Sequence, residues 1–164
     1  MTITKAPKTK TNVGLNDAAT EAISDKLNQY LGNLHVLYTK LHNFHWNIEG
    51  GSFYTLHEEL QAMYEAVAAE IDEVAERVLK IGRRPLARMA DYLEVATLKE
   101  IDSNAYTGQE IADHLISDLQ VLITQLRETI TLAQDHGDEG TADDAIAFLK
   151  EREKAVWMLT AYRG

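Results

Sequence analysis

Apolar residues recur at steps of three and four through most of the chain, and that period is satisfied by long amphipathic helices. Leu27, Leu31, Leu34, Tyr38, Leu41, Phe44 and Ile48 make one stripe, ended by Gly50-Gly51. Leu56, Leu60, Met63, Val67, Ile71, Ala75 and Val78 make a second, from about Ser52 to Ile81, with Gly82 beyond its end. Thr107-Gly108-Gln109-Glu110 has the spacing of a capping box and opens a third stripe of Ile111, Leu115, Leu119, Leu122, Leu126 and Ile130. An acidic turn from Asp135 to Gly140 follows. The fourth helix is expected to open at Thr141, with Asp143 and Asp144 in its first turn where carboxylates suit the helix dipole, and to run through Ile146, Leu149, Val156 and Leu159. Only 2 Pro and 9 Gly punctuate 164 residues, too few for a chain of many short strands. The fold class is therefore all-α.

The connection between the second and third stripes is long. It starts at Arg83-Arg84-Pro85, reaches about Tyr106, and contains one short helix around Met89, Tyr92, Leu93 and Val95. A connection of that length returns the chain to the other end of a bundle. The outline is a four-helix bundle of the ferritin-like kind, with a short extra helix in the crossover between helices two and three. Residues 1–15, with Lys5, Lys8 and Lys10 among Thr, Pro and Asn, cannot bury a face and are expected to form a flexible tail, leaving 16–164 as the bundle domain. There is no apolar core of signal-peptide length and no run of about 18 apolar residues, so the expectation is a soluble cytoplasmic protein with no membrane partner.

Composition narrows the chemistry. Lys and Arg number 16 against 26 Asp and Glu, a formal charge of -10 that repels nucleic acid and tolerates cations. Cysteine is absent, which removes disulfides, thiolate ligands and thiol nucleophiles and leaves His and carboxylates as metal ligands. No histidine has a Glu three residues before it, so a di-iron centre inside one bundle lacks its usual ligands. His57 is followed by Glu58, Glu59, Leu60 and Gln61, which is not a zinc-protease motif.

Asp72 and Glu76 remain, four apart and hence on one face of the second helix. Alone, such a pair is ordinarily a solvated acidic stripe, with Glu76 able to pair with Lys80. His57 lies 15 residues earlier on the same helix, about 22 Å away at the helical rise, so the two cannot share a metal within one chain. Two copies of this helix packed antiparallel about a two-fold axis would bring His57 of one level with Asp72 and Glu76 of the other, twice over. His45, across the Gly50-Gly51 turn, is the natural companion of His57. Imidazole and carboxylate together suit Fe, Mn or Zn.

Asn43-Phe44-His45-Trp46, Phe53-Tyr54-Thr55-Leu56-His57-Glu58 and Asp72-Glu73-Val74-Ala75-Glu76-Arg77 resemble the Dps family, the mini-ferritins, in order and spacing, and Ile81-Gly82-Arg83-Arg84-Pro85-Leu86 resembles its connector. The resemblance covers nearly the whole chain after the tail. It implies a homo-oligomer, a dodecameric hollow shell, with ferroxidase sites at two-fold interfaces that take His45 and His57 from one subunit and Asp72 and Glu76 from its neighbour. It implies iron as Fe(II) and hydrogen peroxide as substrates and ferric mineral as product, while the donor set itself leaves zinc or manganese as competitors. One turn after His57 the family often has another carboxylate, where this chain has Gln61, a weaker donor. By the same resemblance Trp46 is an auxiliary trap for oxidising equivalents, and Asp135 and Asp144 line a negative pore at a three-fold axis, with Gly140 where another pore carboxylate is expected. Glu58 and Glu65 could help nucleate mineral; His42 could add a second two-histidine site; His35, His114 and His136 receive no role.

Two other readings stand beside this one. Lys5, Lys8 and Lys10, repeated on every subunit, would give a DNA-compacting particle avidity without base contacts, against an acidic body and with steep salt dependence. A purely structural helical oligomer would change stability with metal but perform no redox chemistry.

Overall fold

A computed structural model describes residues 6–164. It contains α1 (Asp17–Asn47), β1 (Ile48–Glu49), α2 (Phe53–Lys80), α3 (Met89–Val95), β2 (Tyr106–Thr107), α4 (Gly108–Asp135) and α5 (Glu139–Arg163). The four long helices and the short crossover helix match the order read from the stripes. Asn16 caps α1 by accepting from the Ala19 amide at 2.9 Å, and Thr107 with Glu110 forms the capping box of α4. The fourth long helix starts two residues earlier than expected, at Glu139. Gly137, at φ 73°, stops α4, and the buried Asp138 carboxylate then accepts from the Thr141 amide at 3.1 Å. Asp143 and Asp144 consequently lie beyond the first turn.

The stripes form the core. Ile23, Leu31, Leu34, Leu37, Leu41 and Phe44 of α1 meet Leu60 and Val74 of α2 and Ile111, Leu115, Leu119 and Leu122 of α4, all essentially inaccessible to solvent. Each such side chain contributes roughly 1.5–3 kcal/mol by leaving water, so these residues dominate the fold's stability. The crossover is fastened by Asn33 of α1, whose Oδ1 accepts from the Thr97 and Leu98 amides at 2.7 and 3.0 Å while its Nδ2 donates to Gln125 of α4 at 2.9 Å. Gly32 lets α3 approach closely: a Cβ there would stand 2.6 Å from Val95 Cγ2.

The short strands set the geometry of the α1–α2 turn. β1 pairs in parallel with β2, Ile48 opposite Tyr106 and Glu49 opposite Thr107, and so ties that turn to the entry of α4.

Lys5 lies outside the described residues. Residues 6–11, expected from composition to stand clear of the bundle, run along the end of α2 instead. The Thr9 amide donates to Gly82 O and the Arg84 amide to Pro7 O, both at 2.9 Å. Buried Arg83 donates to Ala6 O, the Thr20 hydroxyl and the Asp17 carboxylate. Backbone pairing and one buried guanidinium hold this segment where apolar burial could not. Among the described residues no helix is long and apolar enough to cross a membrane.

Candidate metal centre

His45 is in the last turn of α1 and His57 is the fifth residue of α2, on opposite arms of the turn that β1 fastens. Their rings stack with centroids 3.7 Å apart and planes 20° from parallel. Each is anchored by the other's backbone: His45 Nδ1 lies 2.8 Å from His57 O, and His57 Nδ1 lies 2.9 Å from His45 O. A carbonyl can only accept, so in the neutral rings both Nδ1 atoms carry the proton and both Nε2 atoms keep a lone pair. That is the tautomer a metal-binding histidine needs, fixed by its outer contact. Phe53 stacks on His57 at 5.0 Å, and Tyr64 stands edge-on to His45 at 5.4 Å.

Asp72 and Glu76 share one exposed face of α2 and do not approach the histidine pair. Glu76 has Lys80 of its own helix 3.4 Å away, an exposed i,i+4 pair worth little. Among the described residues no three His, Asp or Glu side chains of one chain gather closely enough to hold a metal ion. The chain thus presents two imidazoles with free lone pairs at one end of α2 and two hard carboxylate donors toward the other. Together these donors fit a borderline divalent ion; separately each half is incomplete.

Gln61, one turn after His57, donates to Glu65 Oε1 at 2.9 Å, which engages its amide nitrogen within the same helix. Trp46 is 69% exposed and leans against His42 at 5.1 Å, so it is no packing anchor within the chain. His42 stacks on Tyr64 at 4.0 Å and lies 3.0 Å from Tyr38 O through its own Nδ1. In the acidic turn Asp135 and Asp144 are exposed. Asp138 is internal, paired with Arg77, whose Nε donates to Thr141 at 2.8 Å. Gly140, the position read as a missing pore carboxylate, lies against that guanidinium: a Cβ would meet it at 2.8 Å. A side chain there would displace Arg77.

The stripes did not disclose a buried polar group on the inner side of α2. Tyr30 donates its hydroxyl to Glu70, and Arg152 of α5 pairs with the other Glu70 oxygen. All three are almost wholly buried. Burial pushes the Glu70 carboxyl up, with Arg152 and the Tyr30 hydroxyl pulling the other way. Burial likewise raises the Tyr30 phenol well above its ordinary value. The available signal was Glu70 itself, a charge spaced with Val67 and Val74 inside an apolar stripe. Lys40, 2.5 Å from Asp118 and equally buried, interrupts the first stripe in the same way.

The ferritin-like domain family matches residues 24–164. The chain belongs to the ferritin-like family. Within it, a DNA protection during starvation protein (Dps) of Brevibacillus brevis is 41% identical over 136 residues, which span 83% of this chain and 91% of that protein. The Dps structure from Vibrio cholerae O1, a member of a broad superfamily of ferritin-like diiron-carboxylate proteins, superposes with a TM-score of 0.90 at 33% identity, covering 97% of this chain and 100% of that one. Dps from Listeria innocua, in crystals soaked with zinc, superposes with a TM-score of 0.82 at 34% identity, covering 85% and 94%. The ferritin-like fold is thus established, and the Dps resemblance read from residues 43–86 is carried by relatives that span most of the chain.

Proposed function

We propose that this protein is a mini-ferritin that oxidises Fe(II), preferably with hydrogen peroxide, at sites made by His45 and His57 of one copy and Asp72 and Glu76 of a second, and stores ferric mineral in a hollow dodecameric shell in the cytoplasm. The observation that carries the reading is the division of α2: a preset imidazole pair at one end, an exposed carboxylate pair about 22 Å along, and no complete ligand set within one described chain. Antiparallel packing of two α2 helices completes both sites at once and puts the two-fold axis near residues 65–66. Ala62, Ala66 and Ala69 are exposed there and permit close approach of the helices. The pairing of diiron-carboxylate with the Vibrio cholerae structure, and zinc with the Listeria innocua crystals, supports iron as substrate and zinc as competitor. Manganese is a further competitor.

Peroxide accepts two electrons, one from each of two Fe(II) ions, and with two protons leaves as two waters, so no hydroxyl radical is released. The carboxylates favour the ion that gains charge, and the imidazoles offer their Nε2 lone pairs as nitrogen donors. Gln61, already engaged by Glu65, makes the second iron position weaker than one with a carboxylate there. Trp46, exposed and next in sequence to His45, would give up an electron when only one Fe(II) is bound. Asp135 and Asp144, repeated about a three-fold axis, would draw cations inward.

DNA compaction by lysine tails is the weaker alternative. Lys8 is 2.7 Å from Asp17, and residues 6–11 are paired to the end of α2, so this part of the arm is engaged with its own bundle. Anaerobic loading with Fe(II) followed by peroxide or air, in wild type and Asp72→Ala, tests the main reading. Rapid peroxide-driven ferric absorbance lost in the variant is expected; equal slow oxidation in both would leave a structural oligomer.

A further inference from the structure

Helix α2 begins badly for a helix that must present a ligand in its second turn. Asn16, Thr107 and Asp138 each cap their helix with a side-chain oxygen, but Ser52 makes no such bond and the first turn of α2 holds no acidic residue. The preceding Gly50, at φ 96°, and Gly51 have no side chain to brace the turn, which the Phe53 amide closes by donating to Gly50 O at 3.1 Å. An uncapped start after two glycines frays, and His57 lies only five residues in.

The Ser52 hydroxyl is instead used from outside. Tyr162, near the end of α5, donates its phenol O–H to Ser52 Oγ at 2.5 Å, across 110 residues of sequence. Gly108, the first residue of α4, makes the space: a Cβ there would collide with the Tyr162 hydroxyl and stand 2.9 Å from Leu56 Cδ1 and 3.1 Å from Ser52 Cβ. Next to Ser52, Phe53 stacks on His57, and the His57 carbonyl takes the His45 N–H.

The geometry points to Tyr162 as a positioning residue for the metal site, pinning the start of α2 through Ser52 so that His57 and, through its carbonyl, His45 hold their orientation. Tyr162 touches no ligand atom. The inference rests on the metal-site reading above.

Co(II) binding to the assembled full-length protein, read by visible absorption, together with amide exchange at residues 53–57, tests it. Tyr162→Phe removes one hydroxyl and should weaken Co(II) binding roughly tenfold, the lower end of what loss of an outer partner does to a metal site. Exchange at 53–57 should quicken. Arg163→Ala, which breaks the neighbouring 2.8 Å pair with Asp113, should change neither. Adding Ser52→Asp to Tyr162→Phe puts a carboxylate at the start of the helix, where the dipole favours it, and should restore both affinity and protection. Unchanged affinity and exchange in Tyr162→Phe, an equal loss in Arg163→Ala, or a loss that Ser52→Asp does not mend would each overturn the inference. If His57→Ala binds Co(II) as wild type does, the site itself is wrong and the inference falls with it; changed exchange in Tyr162→Phe would still stand as a property of the helix start.

Discussion

Glu70 and Asp72 are two residues apart on one helix and have opposite fates. Glu70 faces the bundle interior, where Tyr30 and Arg152 take both of its oxygens. Asp72 faces outward with Glu76, whose one ion-pair partner among the described residues is Lys80 of its own helix. The chemistry of the two carboxyls is the same, and their surroundings differ. Inside, the group is saturated and can only hold the bundle together; outside, it keeps its lone pairs for something that arrives from beyond the chain. The histidine pair stands between these cases, with each Nδ1 spent on a carbonyl and each Nε2 held in reserve.

The largest expected effect tests the inner side of that contrast. Glu70→Ala leaves the Arg152 guanidinium buried without its carboxylate and should cost about 3–5 kcal/mol, read as a lower urea midpoint. Asp72→Ala should change stability by no more than about 0.5 kcal/mol. Equal destabilisation would erase the distinction between the two faces.

Activity should reverse the ranking. Asp72→Ala should slow peroxide-driven Fe(II) oxidation by at least the 10- to 100-fold that loss of a supporting group brings to a metal site. Sharper still is mixing. Subunits carrying His57→Ala and subunits carrying Asp72→Ala are each inactive, yet equal amounts unfolded and reassembled together should recover about a quarter of the wild-type rate, because a quarter of two-chain sites draw both intact halves. No recovery would mean that the ligands come from one chain.

Acid supplies a smaller effect. Burial holds the His35 imidazole below its ordinary value, where it stacks on Tyr92 at 3.8 Å. The folded state keeps it neutral while the unfolded chain takes up a proton as pH falls through about 6.5, so its contribution is whole above that value and lost on acidification. His35→Gln should flatten the fall of the melting temperature below about pH 6.5. An unchanged slope would show that His35 does not titrate differently in the two states. Smallest of all should be the change in oxidation rate on removing residues 1–11, since residues 7 and 9 pair with the chain beyond the end of α2 and not with either candidate ligand pair. Loss of ferroxidase activity in that variant would refute the division between the site and the N-terminal segment.

The helices, their order, the long crossover and the capping box were all legible in the chain, because three- and four-residue spacing of apolar groups is a local property that the backbone converts directly into an amphipathic face. So was the separation of His57 from Asp72, which follows from the helical rise alone. The start of α5 was misplaced by two residues because Asp138 was read as one of several acids in a turn, and only its burial against Arg77 and Thr141 makes it a cap. The tail was read as free because its composition offers nothing to bury, whereas Pro7 and Thr9 pair through their backbone with Arg84 and Gly82, an interaction no side-chain pattern announces. The sequence by itself determined a helical bundle with candidate ligands at fixed positions along two helices. Tertiary structure decided which polar groups are spent and which are available, since Glu70 against Arg152, His45 against the carbonyl of His57, and Tyr162 against Ser52 are contacts between elements 12 to 110 residues apart. Such contacts depend on how faces meet in three dimensions, and periodicity along one element carries no record of what the facing element presents.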